Sequence, residues 1–82
     1  MNYDYLVYPY FSDENFSSAC QMVESMIPGI KKTGSLSTVD GPIQNYSFDK
    51  SFISVYGKIR DNEVSISSSE KIKFLQTRVI GI

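Results

Sequence analysis

Histidine is absent from this 82-residue sequence, and cysteine occurs once, at Cys20. Without histidine there is no ordinary proton shuttle near neutral pH, no histidine-containing catalytic triad and no histidine-based zinc site. A single cysteine cannot close an intramolecular disulfide or supply a thiolate-only zinc or iron–sulfur site. A reducing cytoplasm is the expected compartment, with Cys20 packed as a small apolar side chain. Long apolar runs are also missing, and nothing approaches the ~20 residues that span a bilayer. Asp4 and the lack of an early basic residue argue against a signal peptide. The glycines at 29, 34, 41, 57 and 81 form no phosphate-binding loop. No cofactor and no metal site is expected from these residues.

The remaining polar clusters have structural explanations. Asp13 and Glu14 suit a helix start, and Asp61 and Glu63 flank a turn; neither pair completes a calcium loop. Ser65, Ser67, Ser68 and Ser69 lie near Lys71 and Lys73, but their spacing matches no activated-nucleophile motif. An enzyme is therefore not the expected reading.

What is present suits one small folded domain spanning residues 1–82. Hydrophobic residues make up 41% and charged residues 21%, too apolar for a charged disordered chain. Six tyrosines and five phenylalanines supply large buried areas to a core that length keeps small. Charge is unevenly spread: residues 1–28 carry Asp4, Asp13, Glu14 and Glu24 with no basic residue, whereas residues 29–82 sum to +3. Such an acidic flank and basic flank can orient a partner electrostatically. The polar side of the helix has no Lys or Arg, which argues against an anionic membrane surface.

Along the chain, residues 3–11 read as a strand, with Tyr3, Tyr5, Val7 and Phe11 on one face and Leu6, Tyr8 and Tyr10 on the other. Pro9 cannot donate a ladder bond and marks an edge strand, a bulge or a strand end. Ser12 is a helix cap, and Phe16, Ala19, Cys20, Val23, Met26 and Ile27 make an apolar stripe at helical spacing. Pro28 and Gly29 stop that helix, predicted over 13–27. Gln21 and Glu24 fall outside the stripe, facing water. Ile30 to Val39 and Ile43 to Phe48 read as strands joined at Asp40-Gly41-Pro42. A further strand begins at Ser51 after Asp49-Lys50. Asp61-Asn62 then predicts a two-residue hairpin turn that would oppose Arg60 to Glu63, Ile59 to Val64, Lys58 to Ser65 and Gly57 to Ile66. Residues 71–79 alternate like a strand, with a short helix as the other reading.

The expected fold is α+β: one N-terminal amphipathic helix packed on a curved, mostly antiparallel sheet of about five strands. The β-α crossover makes the first two strands parallel if they share the sheet.

The leading functional expectation is a small protein-interaction module. It would act as an inhibitor or immunity-type protein by occluding a larger protein partner. Tyr8 and Tyr10 would be its anchors, and Asp13, Glu14 and Glu24 would orient a basic partner surface. Single-stranded nucleic-acid binding is an alternative, in which Phe52 and Tyr56 stack on bases while Lys50 and Lys58 track phosphates. A homo-oligomeric structural protein, including a homo-dimer, is another, because open sheet edges can pair between chains.

Overall fold

A computed structural model describes residues 3–72 of the chain. Its elements are β1 (Tyr3–Tyr8), α1 (Asp13–Met26), β2 (Lys31–Thr38), β3 (Gly41–Phe48), β4 (Ser51–Lys58) and β5 (Glu63–Ser68). The strands form one five-stranded sheet in the order β1-β5-β4-β3-β2, and every neighbouring pair is antiparallel. One N-terminal helix on a five-stranded antiparallel sheet is the α+β fold expected. Alternating strand directions make β1 and β2 point the same way, but three strands lie between them. The crossover therefore spans the whole sheet rather than joining neighbours. No helix among the described residues is long and apolar enough to cross a membrane.

The helix forms where its caps and stripe place it. The Ser12 hydroxyl accepts from the Asn15 N–H at 2.9 Å, and Asp13 and Glu14 fill the first turn, where the exposed N–H groups favour negative charge. Ile27 ends the helix one residue earlier than the stripe suggests, its N–H returning to the Val23 carbonyl. Ala19 and Val23 are fully buried, while Met26, at the end of the stripe, is exposed. The helix packs chiefly on β4 and β5. Beneath it lie Ile53 and Val55 of β4, Val64 and Ile66 of β5, and Tyr5 and Val7 of β1. These are alternate residues on paired strands, as one buried sheet face requires.

Details of the sheet differ from the sequence expectations. β1 ends at Tyr8, not residue 11, and its register slips between Leu6 and Tyr8. That bulge sets Tyr8 opposite Val64, on the helix side, so Tyr8 leaves the face it would share with Leu6. The β4–β5 hairpin pairs Lys58 with Glu63, Gly57 with Val64, Tyr56 with Ser65 and Val55 with Ile66, two residues away from the predicted register. The loop is Ile59–Asn62, with Asn62 in the left-handed region at φ 54°. The Arg60 N–H, which the predicted turn would give to Glu63, donates instead to the Asp40 carboxylate, and the Ile59 N–H donates to the Asp40 carbonyl on the β3 side. Lys71 and Ile72 have no regular structure, and the rest of the 71–79 segment, expected as a strand or a short helix, lies outside the described residues.

Two glycines make the close approaches possible. Gly41 has φ 129°, and a β-carbon there would collide with the Gly57 carbonyl oxygen. At Gly57, a β-carbon would stand 2.6 Å from the Phe11 ring, which covers the bare backbone instead. Phe11 thus links the end of β1 to the centre of the sheet.

Candidate functional site

β1, β2 and β4 all run toward the same end of the sheet. Three connections therefore meet there: Pro9–Ser12 before the helix, the Val39-Asp40 turn and the Ile59–Asn62 loop. Hydrogen bonds tie them together. Phe11 N–H donates to Asn62 Oδ1 at 3.0 Å, Ile59 N–H to the Asp40 carbonyl at 2.8 Å, and Arg60 N–H to Asp40 Oδ1 at 3.0 Å. Asn15 Nδ2 donates to the Tyr10 carbonyl at 3.1 Å, joining the first helical turn to the same cluster. Within the turn, the Thr38 hydroxyl donates to the Gly41 carbonyl and accepts from the Asp40 N–H.

This braced end displays apolar side chains in water. Tyr10 and Ile59 are each 55% exposed, and Val39 is fully exposed. Asp13 and Glu14 at the helix start and Asp61 in the loop supply exposed acids around them, with Arg60 the basic residue of the loop. The structure thus brings Tyr10, Asp13 and Glu14 to one end of the molecule.

Tyr8 and Glu24 stand elsewhere. Tyr8 is half-buried and lines a depression of about 450 Å³ with Ser18, Gln21, Met22, Ser25 and Met26 of the helix. Glu24 lies about 15 Å along the helix from Glu14 at 1.5 Å per residue. It does not simply face water. Its carboxylate accepts from the buried Tyr46 hydroxyl at 2.6 Å and pairs with Lys32 at 3.4 Å. Burial, then the bond to Glu24, pushes the Tyr46 phenol well above its usual range, because ionisation would set a desolvated phenolate beside a carboxylate. Burial likewise raises the half-buried Cys20 thiol.

Of the other basic and aromatic candidates, Phe52, Tyr56 and Lys58 occupy the helix-free sheet face. Phe52, Tyr56 and Lys58 alternate along β4, the central strand; Phe52 is 66% exposed. Lys58 Nζ sits 5.8 Å from the Tyr56 ring centre and 3.7 Å from the Glu63 carboxylate, so its charge is already partly engaged. A second depression, of about 400 Å³, lies among Asp4, Leu6, Tyr56, Lys58, Glu63 and Ser65 on this side. Lys50 is exposed in the β3–β4 turn, at the opposite end of β4 from Lys58. Among the described residues, no grouping of His, Cys, Asp and Glu could hold a metal ion.

Sequence reasoning missed Val39, Ile59 and Asp40. Val39 and Ile59 look like strand residues because they are β-branched, and only the loop register exposes them. Asp40 shows a local turn signal before Gly41-Pro42, but its bonds to Ile59 and Arg60 cross about 20 residues of sequence. No protein-family model, no curated protein and no solved structure matches the chain.

Proposed function

We propose that the protein is a small interaction module that docks through its three-loop end on a larger protein. The observation behind this reading is the bracing of Tyr10, Val39 and Ile59, exposed apolar groups on loops already held by cross-loop hydrogen bonds. Loops fixed before binding lose little conformational freedom on association. Asp13, Glu14 and Asp61 suit a partner with basic residues around an apolar patch, the acids steering encounter and the rings and aliphatics supplying desolvated contact. Inhibition by occlusion follows if the covered patch is the partner's working surface. A reducing cytoplasm, where Cys20 remains a thiol, is the proposed setting.

Photo-crosslinking residues placed at Tyr10 and Ile59, with a control at Phe52, test this in the cells of origin. The same protein should be captured from both loop positions and not from Phe52. With that purified partner, Tyr10→Ala should weaken binding at least tenfold. Asp13→Asn with Glu14→Gln should slow association at low salt. Unchanged affinity in Tyr10→Ala and Ile59→Ala would overturn the reading.

The nucleic-acid reading retains one specific support, the row of Phe52, Tyr56 and Lys58 on the helix-free face. It requires binding to single-stranded DNA or RNA that weakens steeply with salt and is lost in Phe52→Ala and Lys58→Ala. A salt-independent or absent signal would remove it.

A further inference from the structure

Strand β2 is the outermost strand on one side, and all eight of its residues are exposed. The helix packs chiefly on β4 and β5 and touches β2 near its start, through the Glu24–Lys32 ion pair; Gly34 to Thr38 are exposed. Which backbone groups face outward follows from the hairpin. Thr38 and Gly41 flank the two-residue turn and exchange ladder bonds; alternation then directs Leu36 and Gly34 toward β3. The N–H and C=O groups of Ser35 and Ser37 therefore point away from the sheet, toward solvent.

We propose that β2 pairs antiparallel with β2 of a second copy of this chain, about a two-fold axis at Leu36. The strand is built for self-pairing. Reading Thr33-Gly34-Ser35-Leu36-Ser37-Thr38-Val39 about Leu36 places serine opposite serine and leucine opposite leucine, in the register where the outward groups of Ser35 meet those of Ser37. Slipping by two residues would set Leu36 against Gly34 or Thr38 and lose that contact. The run from Thr33 to Val39 carries no charge, so nothing repels at the centre. Lys31 and Lys32 fall at the ends of the pairing, beside the other copy's β2–β3 turn with its Asp40, rather than against each other.

The helix-free face gives the pairing a side-chain component. Leu36, Ile43, Tyr56, Ser65 and Leu6 stand in register across all five strands. Joining two copies at Leu36 extends this largely apolar row into one band across ten strands, with both helices on the opposite side. β1 offers no equivalent edge. Its outward amides are those of Asp4 and Leu6, and the strand then breaks at the bulge and Pro9.

Sedimentation equilibrium of the full chain tests the proposal. An interface of one short strand per copy is small, so mass should rise from monomer toward dimer between about 10 μM and about 1 mM. Leu36→Lys, at an exposed position, sets two ammonium groups together and should hold the protein monomeric at about 1 mM. Ser37→Pro removes an outward N–H and no bond to β3, and should do the same. Far-ultraviolet circular dichroism confirms that each variant folds. Tyr10→Ala, at the loop end, should dimerise like the parent. A parent chain that stays monomeric at about 1 mM, dimerisation unaffected by both β2 variants, or dimerisation lost in Tyr10→Ala would each overturn the proposal.

Discussion

Among the described residues, the two edges of the sheet meet the same hazard, a row of unpaired backbone groups, and are finished differently. β1 is six residues long, carries Asp4 on its free stretch, and is broken by a bulge at Leu6/Tyr8 and then by Pro9. Its Tyr5 and Val7 are buried, and Tyr8 packs beside the helix. β2 is eight residues long, with a bulge only near its start, between Lys32 and Gly34, and no buried side chain. Because β1 and β2 run the same way, the irregularity of β1 lies at the three-loop end, whereas that of β2 lies at the other. The regular half of β2 thus adjoins the exposed loops. A core this small can seal one side of the sheet, and it seals the β1 side; the β2 side is left exposed.

That contrast can be broken by emptying the sealed side. Ile53→Ala removes most of a fully buried side chain at the sheet centre and should cost about 3 kcal/mol in chemical denaturation. A cost near that of a surface change would mean that the core is not centred on β4. Gly41→Ala attacks the junction between the two sides, since its positive φ and the Gly57 carbonyl leave no room for a methyl group. A loss of roughly 2–3 kcal/mol is expected by the same measurement.

Tyr46→Phe sharpens the boundary where the helix reaches β3. Loss of the bond to Glu24 should cost about 1–2 kcal/mol near neutral pH. The sign of the pH effect follows from the raised phenol. Above pH ~10 the unfolded chain releases this proton while the folded chain keeps it, so stability is full below that pH and falls as pH rises. Tyr46→Phe should flatten this alkaline decline; an unchanged slope would contradict the role given to Tyr46. The smallest effect belongs to the open edge. Leu36→Ala should change monomer stability by no more than about 0.5 kcal/mol, measured at low protein concentration.

Local signals made much of the covered side legible in sequence. Ser12, Asp13 and Glu14 with the Ala19–Val23 stripe specify the helix because caps and periodicity act within a few residues. Alternation in Ile53, Val55, Val64 and Ile66 likewise names the buried sheet face. The β4–β5 register was not legible, because the Arg60 N–H goes to the Asp40 carboxylate, a contact between distant loops. Glu24 also reads as a solvated helix residue until Tyr46 is brought beneath it. At the loop end, Tyr10, Asp13 and Glu14 were apparent as neighbours in sequence, while Val39 and Ile59 joined them only through topology.

Residue-resolved amide hydrogen exchange tests most directly whether β2 is left open for pairing. At low protein concentration the Ser35 and Ser37 amides should exchange nearly freely while their neighbours Leu36 and Thr38, bonded to β3, are protected. At about 1 mM, Ser35 and Ser37 should gain protection. Ser35 and Ser37 exchanging as slowly as Leu36 at every concentration, or staying unprotected at about 1 mM, would contradict the account.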